Sequence, residues 1–410
     1  ELLHLSYQKN HTEVILAEPT PVEPVRAFVE RLYDKCLDRE SDTEGLEYWT
    51  EELISGRQTG ADVASFFVIC DEYMAKGDTT EEFLTVLYYT FFNRDPEEDG
   101  IKYWTGVLDD TLHTREYVLS GFVNSPEFGA ICKDYGIVVG SYTSPHAVDV
   151  SIDVAEFVSR LYTLVLNREY DLDGLDFWTN SLNSFDMSTY EVAKSFFYSK
   201  EFLDKKTSNG EFVELLYATC MNRESDKEGF DYWVKCLKNK TKTRSEVLEF
   251  FLICDEFRKI MSDSGIVEHP IVTIARREMG YSGGLKYCRW YGYNFRIEWC
   301  ACFVSWCADQ GGYINSQTIP RYKWCLDARD WFMARNQWVA DCNYTPKSGD
   351  IIFFDWNRNG VIDHTGIVVG VESNGRIHTI EGNKEDVVKN DRVFYVGDPD
   401  IYGYGVPAYK

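Results

Sequence analysis

The stretch FVERLYDKCLDRESDTEGLEYW, residues 28–49, decides how the first two thirds of the chain are read, because it returns three times. FLTVLYYTFFNRDPEEDGIKYW begins at Phe83, FVSRLYTLVLNREYDLDGLDFW at Phe157 and FVELLYATCMNRESDKEGFDYW at Phe212. Each copy carries Leu-Tyr four residues after its Phe (Leu32-Tyr33, Leu87-Tyr88, Leu161-Tyr162, Leu216-Tyr217). An Arg follows at offset 11 (Arg39, Arg94, Arg168, Arg223), a Gly at 17 (Gly45, Gly100, Gly174, Gly229) and a Trp at 21 (Trp49, Trp104, Trp178, Trp233). Spacings of 55, 74 and 55 residues group the copies as two pairs, with VVGSYTSPHAVDVS (138–151) as linker.

Inside a copy, Phe28, Leu32 and their apolar neighbours recur at helical spacing. The Arg-acid-x-acid stretch reads as a loop closed by Gly, a second helix carries the Trp, and a third follows, as over Asp62 to Met74. The Arg is expected to pair with the loop acids and the Trp to fill a helical core. Repeats of this kind space, stack or bind.

The acid of the chain lies in these repeats. Of 42 Lys+Arg and 67 Asp+Glu, residues 271–410 hold 16 of each, so the whole net charge of -25 belongs to residues 1–270. Such a charge excludes nucleic acid and anionic membrane as partners, since both require clustered cations. With 44% hydrophobic and 27% charged residues, the chain is a cored, multidomain globular protein. No run approaches the roughly 18 to 20 apolar residues of a membrane span. The opening ELLHLSYQKN lacks both Met and a leader, so the numbering is expected to start inside a processed or trimmed product.

Twelve cysteines exceed what a cytosolic chain needs. Cys36 and Cys70 stand at offsets 8 and 42 of the first copy, Cys220 and Cys254 at the same offsets of the fourth. The other copies have Phe91 with Ser125 and Val165 with Ser199. That joint appearance predicts spatial contact and disulfides Cys36–Cys70 and Cys220–Cys254, the alternative being two small buried thiols that touch across a helix pair. No CxxC is present, which argues against structural zinc.

The chemistry lies in the last 140 residues. Trp299-Cys300-Ala301-Cys302-Phe303-Val304-Ser305-Trp306-Cys307 follows a loop-like segment and runs to Gly311-Gly312, a helix opening at Cys300. A thiol in the first helical turn meets free N–H groups and the positive dipole end, which favour the thiolate. Cys302 and Cys307 lie deeper and read as core. Two histidines follow, His364 and His378, on strands HTGIVVGV and GRIHTIEGN after an earlier strand IIFFDW, with Glu372 to Gly375 as the hairpin turn. An even-length loop puts His364 on one face with Glu381 and Asn383 and turns His378 away, unless a bulge intervenes. His364 is thus the candidate base for Cys300.

These motifs, with Pro-Lys-Ser-Gly-Asp-Ile-Ile-Phe-Phe, Asp-His-Thr-Gly-Ile-Val and Ile-Glu-Gly-Asn in order, resemble the CHAP domain (cysteine, histidine-dependent amidohydrolase/peptidase) over residues 271–410. The resemblance implies a papain-like α+β fold with Cys300 as nucleophile, His364 as general base, Glu381 as orienting residue and Asn383 as the accompanying amide. The Cys300 N–H would supply part of the oxyanion hole, with Tyr291 or Tyr293 as second donor. The usual substrate of that family is bacterial peptidoglycan, and Trp290, Trp299, Trp324, Trp331, Trp338 and Trp356 are candidates to line a glycan groove. The acidic part resembles a bacterial surface-protein repeat related to the phycobilisome linker domain, over about residues 25–262.

Asp355, Asn357, Asn359 and Asp363 place oxygens at alternate positions with Gly360 at the sixth, as a calcium loop does, but Gly366 stands where the bidentate Glu belongs. Ca2+ is the ion such a loop would take, and an Asn-Gly turn is the alternative; no cofactor is required. The expected layout is a tail (1–24), a first repeat pair (25–137), the linker (138–151), a second pair (152–265) and the catalytic domain (271–410). The expected function is a secreted or cell-surface peptidoglycan amidase or endopeptidase, its repeats binding a surface protein or cationic partner or serving as spacer. The alternatives are a surface scaffold with a vestigial CHAP domain and a cysteine peptidase acting on proteins.

Overall fold

The computed structural model describes residues 22–261, 266 and 268–409, so the tail expected over 1–24 lies outside the described residues as far as residue 21. The chain forms two compact units, Glu1–Asp149 and Val150–Lys410. The first holds one repeat pair; the second holds the other pair together with the C-terminal α+β domain.

The first copy consists of helices Val22–Leu37, Thr43–Ile54 and Gly60–Ile69, and a short helix Asp71–Met74. The expected single third helix is broken at Cys70, whose backbone is extended (φ -67°, ψ 156°). Equivalent breaks fall at Ser125, Ser199 and Cys254. There Ser125 and Ser199 accept from the backbone N–H of Phe128 and Phe202, capping the helix that follows. All four side chains also donate to the carbonyl three residues back, the Ser at 2.8 Å and the thiols at 3.5 Å. This corrects the disulfide expectation: Cys36, Cys70, Cys220 and Cys254 are free thiols. Cys36 and Cys220 are fully buried, and the Cys36 thiol bonds Thr90 Oγ1 at 3.1 Å.

The recurring residues have one shared purpose. Each Tyr passes its hydroxyl over the Gly of the next helix, where an added Cβ would stand 2.2, 2.0, 2.5 and 2.1 Å from the oxygens of Tyr33, Tyr88, Tyr162 and Tyr217. The Arg lies over that Tyr ring at 4.8, 5.1, 4.7 and 4.9 Å. Its main partner is a Glu in the first turn of the fourth helix. Arg39 to Glu72, Arg94 to Glu127 and Arg223 to Glu256 are two-pronged, while Arg168 to Glu201 is a single contact at 3.5 Å. The expected loop acids are longer contacts in the first and fourth copies, Arg39 to Asp42 at 3.6 Å and Arg223 to Asp226 at 3.7 Å, while in the second Glu97 meets Arg94 at 2.5 Å. Asp42, Asp171 and Asp226 instead cap the second helix through the backbone N–H of Gly45, Gly174 and Gly229.

The C-terminal domain is a seven-stranded antiparallel sheet with helices packed on it. Its strands are β1 (Trp338–Val339), β2 (Ile351–Phe354), β3 (His364–Val371), β4 (Arg376–Lys384), β5 (Val387–Lys389), β6 (Phe394–Tyr395) and β7 (Ile401–Gly405). Their order is β1-β7-β2-β3-β4-β5, with β6 also on β4. Helix Cys300–Gln310 lies across β3 and β4. Gly382 permits that approach, since a Cβ there would meet Phe303 at 2.5 Å.

The hairpin reaches its predicted face by two departures that cancel. Glu372 N–H donates to Arg376 O across a three-residue turn closed by Gly375 (φ 85°), so Val371 pairs with Ile377 in the opposite parity from that expected. A bulge between Val368 and Gly370 then restores the pairings Val368–Thr379 and Ile367–Ile380. His364 therefore shares a face with Glu381.

The third repeat is pinned to this sheet. Phe185, in the loop after helix Leu172–Asn183, is buried in the core of the C-terminal domain, and a Cβ at Gly370 would meet its ring at 2.2 Å. Its carbonyl accepts from Arg276, which also bonds buried Glu268. The tyrosine-over-glycine packing predicts that Gly229→Ala lowers stability by about 1 to 3 kcal/mol, read by urea denaturation.

Candidate active site

Cys300 is the first residue of helix Cys300–Gln310 and is 7% exposed. His364 opens β3 and Glu381 lies on β4, 7% and 1% exposed. His364 Nε2 stands 2.9 Å from Glu381 Oε2, an ion-pair contact rather than a linear hydrogen bond. Glu381 is held further by the Thr379 hydroxyl on Oε1 (2.9 Å) and by Arg392 on Oε2 (3.2 Å). Gly366 makes room for it, since a Cβ there would lie 2.9 Å from Glu381 Cγ.

The electrostatics favour an ion pair between thiolate and imidazolium. A hydrogen bond from the Cys325 thiol lowers the pKa of Cys300 most; burial opposes it, and His364 and the Ala301 N–H add to the lowering, so the thiol falls well below its ordinary range. Burial pushes His364 down, but its interactions with Cys300 and Glu381 outweigh it and raise the imidazole to about 9. Cys325 moves the opposite way, well above the usual thiol range, because Cys300 holds its proton in the hydrogen bond and burial adds to this. A carbonyl placed against Cys300 would meet a charged nucleophile, a proton donor and the amides of a helix N-terminus, the requirements of acyl transfer.

Other expected residues lie elsewhere. Asn383, at positive φ (62°), donates to Glu298 Oε2 at 2.5 Å and so ties β4 to the loop ahead of Cys300. Trp299 is fully buried, stacks on Tyr287 at 5.3 Å and donates to Asp386, which makes it core rather than a substrate contact. Tyr291 and Tyr293 stack on each other at 6.1 Å, with Arg321 over the first and Lys323 bonded to the second. His378 pairs with Glu372 at 2.6 Å and packs by Phe185. Of the six expected groove tryptophans, Trp324 is 56% exposed and adjoins Cys325, whereas Trp356 stacks on Phe354 at 4.5 Å.

In the loop 355–363, the Asp355 carboxylate accepts from the N–H groups of Asn359 and Gly360, and Asp363 accepts from Trp356 N–H and Asn357. These oxygens close the turn on itself. Among the described residues, no three His, Cys, Asp or Glu side chains converge on a metal-sized space.

Cys325 and Arg392 escaped the sequence reading. Cys325 is the first residue of helix Cys325–Met333, so the positional argument that singled out Cys300 applies to it equally. Arg392 sits in a short connection with no motif around it.

Residues 24–76, 64–132, 143–206 and 193–261 match a domain of unknown function, DUF4214, and residues 285–383 match the CHAP domain. The chain belongs to the DUF4214 family, with four repeats followed by a CHAP domain, the module of amidases and peptidases. No curated protein matches the chain. Among the described residues, no helix is long and apolar enough to cross a membrane.

If the Cys325 thiol stabilises the Cys300 thiolate, Cys325→Ala removes one charge-assisted hydrogen bond of about 1.5 to 3 kcal/mol. The midpoint for alkylation of Cys300, followed peptide by peptide against pH, is then expected to rise by about one to two units.

Proposed function

We propose that the protein is a secreted or cell-surface peptidoglycan hydrolase that cleaves an amide bond, either between muramic acid and L-alanine or within the peptide stem or cross-bridge. The observation that carries this is the buried line of Cys300, His364 and Glu381 inside a CHAP domain. In this reading Cys300 attacks the amide carbonyl, His364 gives its proton to the leaving amine, and Glu381 holds the imidazole. Water, deprotonated by His364, then releases the acyl group. The Cys300 N–H, free at the helix start, would bind the developing oxyanion. Trp324, exposed beside Cys325, offers a face for a sugar ring. The acidic repeats would engage a cationic protein or act as a solvated spacer, since an anionic wall polymer repels them.

Cys300→Ala is expected to abolish turbidity loss of purified cell walls while leaving the circular dichroism spectrum unchanged; lysis by the variant would remove Cys300 from the mechanism. Mass spectrometry of products from defined muropeptides distinguishes amidase from endopeptidase. The rate should fall on the alkaline side near pH 9, where His364 loses the proton that the leaving amine needs.

A further inference from the structure

The charges of the active site do not balance on the three residues alone. In the working form Cys300 is negative, His364 positive and Glu381 negative, and all three are buried. A net buried charge is unfavourable unless a counter-charge meets it. Arg392 supplies one, its guanidinium donating at 3.2 Å to the same Glu381 oxygen that faces His364. It is held in place by Trp356, over whose ring it lies at 4.2 Å. Trp356 is itself fixed, stacked on Phe354 of β2 at 4.5 Å and on Phe394 of β6 at 5.9 Å, with the His364 ring 5.8 Å away.

We propose that Arg392 is a positioning residue of the catalytic array, which holds the His364-facing oxygen of Glu381 and brings the buried set of Cys300, His364 and Glu381 to neutrality when Cys300 is a thiolate. The inference rests on the assignment of Cys300 and His364 as nucleophile and base. The other titratable groups around the array are Cys325 and Tyr322, at and just before the start of helix Cys325–Met333, Asp363 beside β3, and Glu298 ahead of Cys300. These are neutral or acidic. Among the described residues seen in contact with the three, Arg392 is the fixed cation. Removing a positive charge raises the pKa of every acid near it, so the ionisation of Cys300 and that of His364 should both move to higher pH.

The test follows iodoacetamide alkylation of Cys300 against pH in the full chain, quantified on the peptide that carries it, for the native protein, Arg392→Met and Arg392→Lys. The midpoint is expected to rise by about half a unit to one unit in Arg392→Met, since Arg392 is partly solvent-screened, and to stay near native in Arg392→Lys. A native midpoint in Arg392→Met overturns the proposal. So does an equal shift in both variants, which would assign the effect to the shape of the guanidinium rather than its charge. If native Cys300 shows no alkylation at neutral pH beyond that of an ordinary buried thiol, the nucleophile assignment itself falls, and this inference with it. Should Arg392→Met not fold, Arg392→Gln, which also lacks the charge, makes the same comparison.

Discussion

A carboxylate with 1% of its surface exposed is the element around which the catalytic domain is arranged. A carboxylate buried without partners is costly to the fold. Groups come to Glu381 from several elements: His364 from β3, Thr379 from its own strand and Arg392 from the connection into β6. Space had to be cleared as well. Gly366 leaves room for its stem, and Gly382 lets the Cys300 helix settle on the sheet close enough for thiol and imidazole to meet. Two glycines that look like incidental motif letters are therefore conditions for the charge arrangement.

The repeats show the same economy on the surface. Tyr, Gly, Arg and the distant Glu form one stack, in which the ring needs a helix without a side chain beneath it and a cation above it, and the cation needs its carboxylate partner. Exposed ion pairs contribute little by themselves, about 0 to 1 kcal/mol. Their role here is to orient the fourth helix against the first two, and the steric demand at the glycine carries more of the energy.

Much of this was legible in the chain. Four copies, their helices, the place of Cys300 at a helix start and the three strands β2, β3 and β4 all follow from periodicity and from where breakers fall. The pairing of His364 with Glu381 was inferred from parity that assumed an even-length loop and no bulge; the hairpin has a three-residue turn and a bulge, and the two departures compensate. Register of that kind depends on local turn chemistry that a count of residues does not reveal. The disulfides were misjudged because Cys70 and Cys254 stand at a backbone break where Ser125 and Ser199 stand in the other copies, and all four donate to the same kind of carbonyl. Arg392 was invisible because its partners, Glu381 and Trp356, are distant in sequence and joined only by the fold.

Phe185 belongs by sequence to the third repeat and by packing to the hydrolase core, against a glycine that admits its ring. The border between repeat and enzyme drawn on the sequence is thus not where the molecule can be cut. A gene fragment starting at the CHAP motifs would leave an open apolar socket at Gly370 and deprive Arg276 of one of its acceptors. The compact unit that keeps this packing whole runs from the third repeat to the end of the sheet.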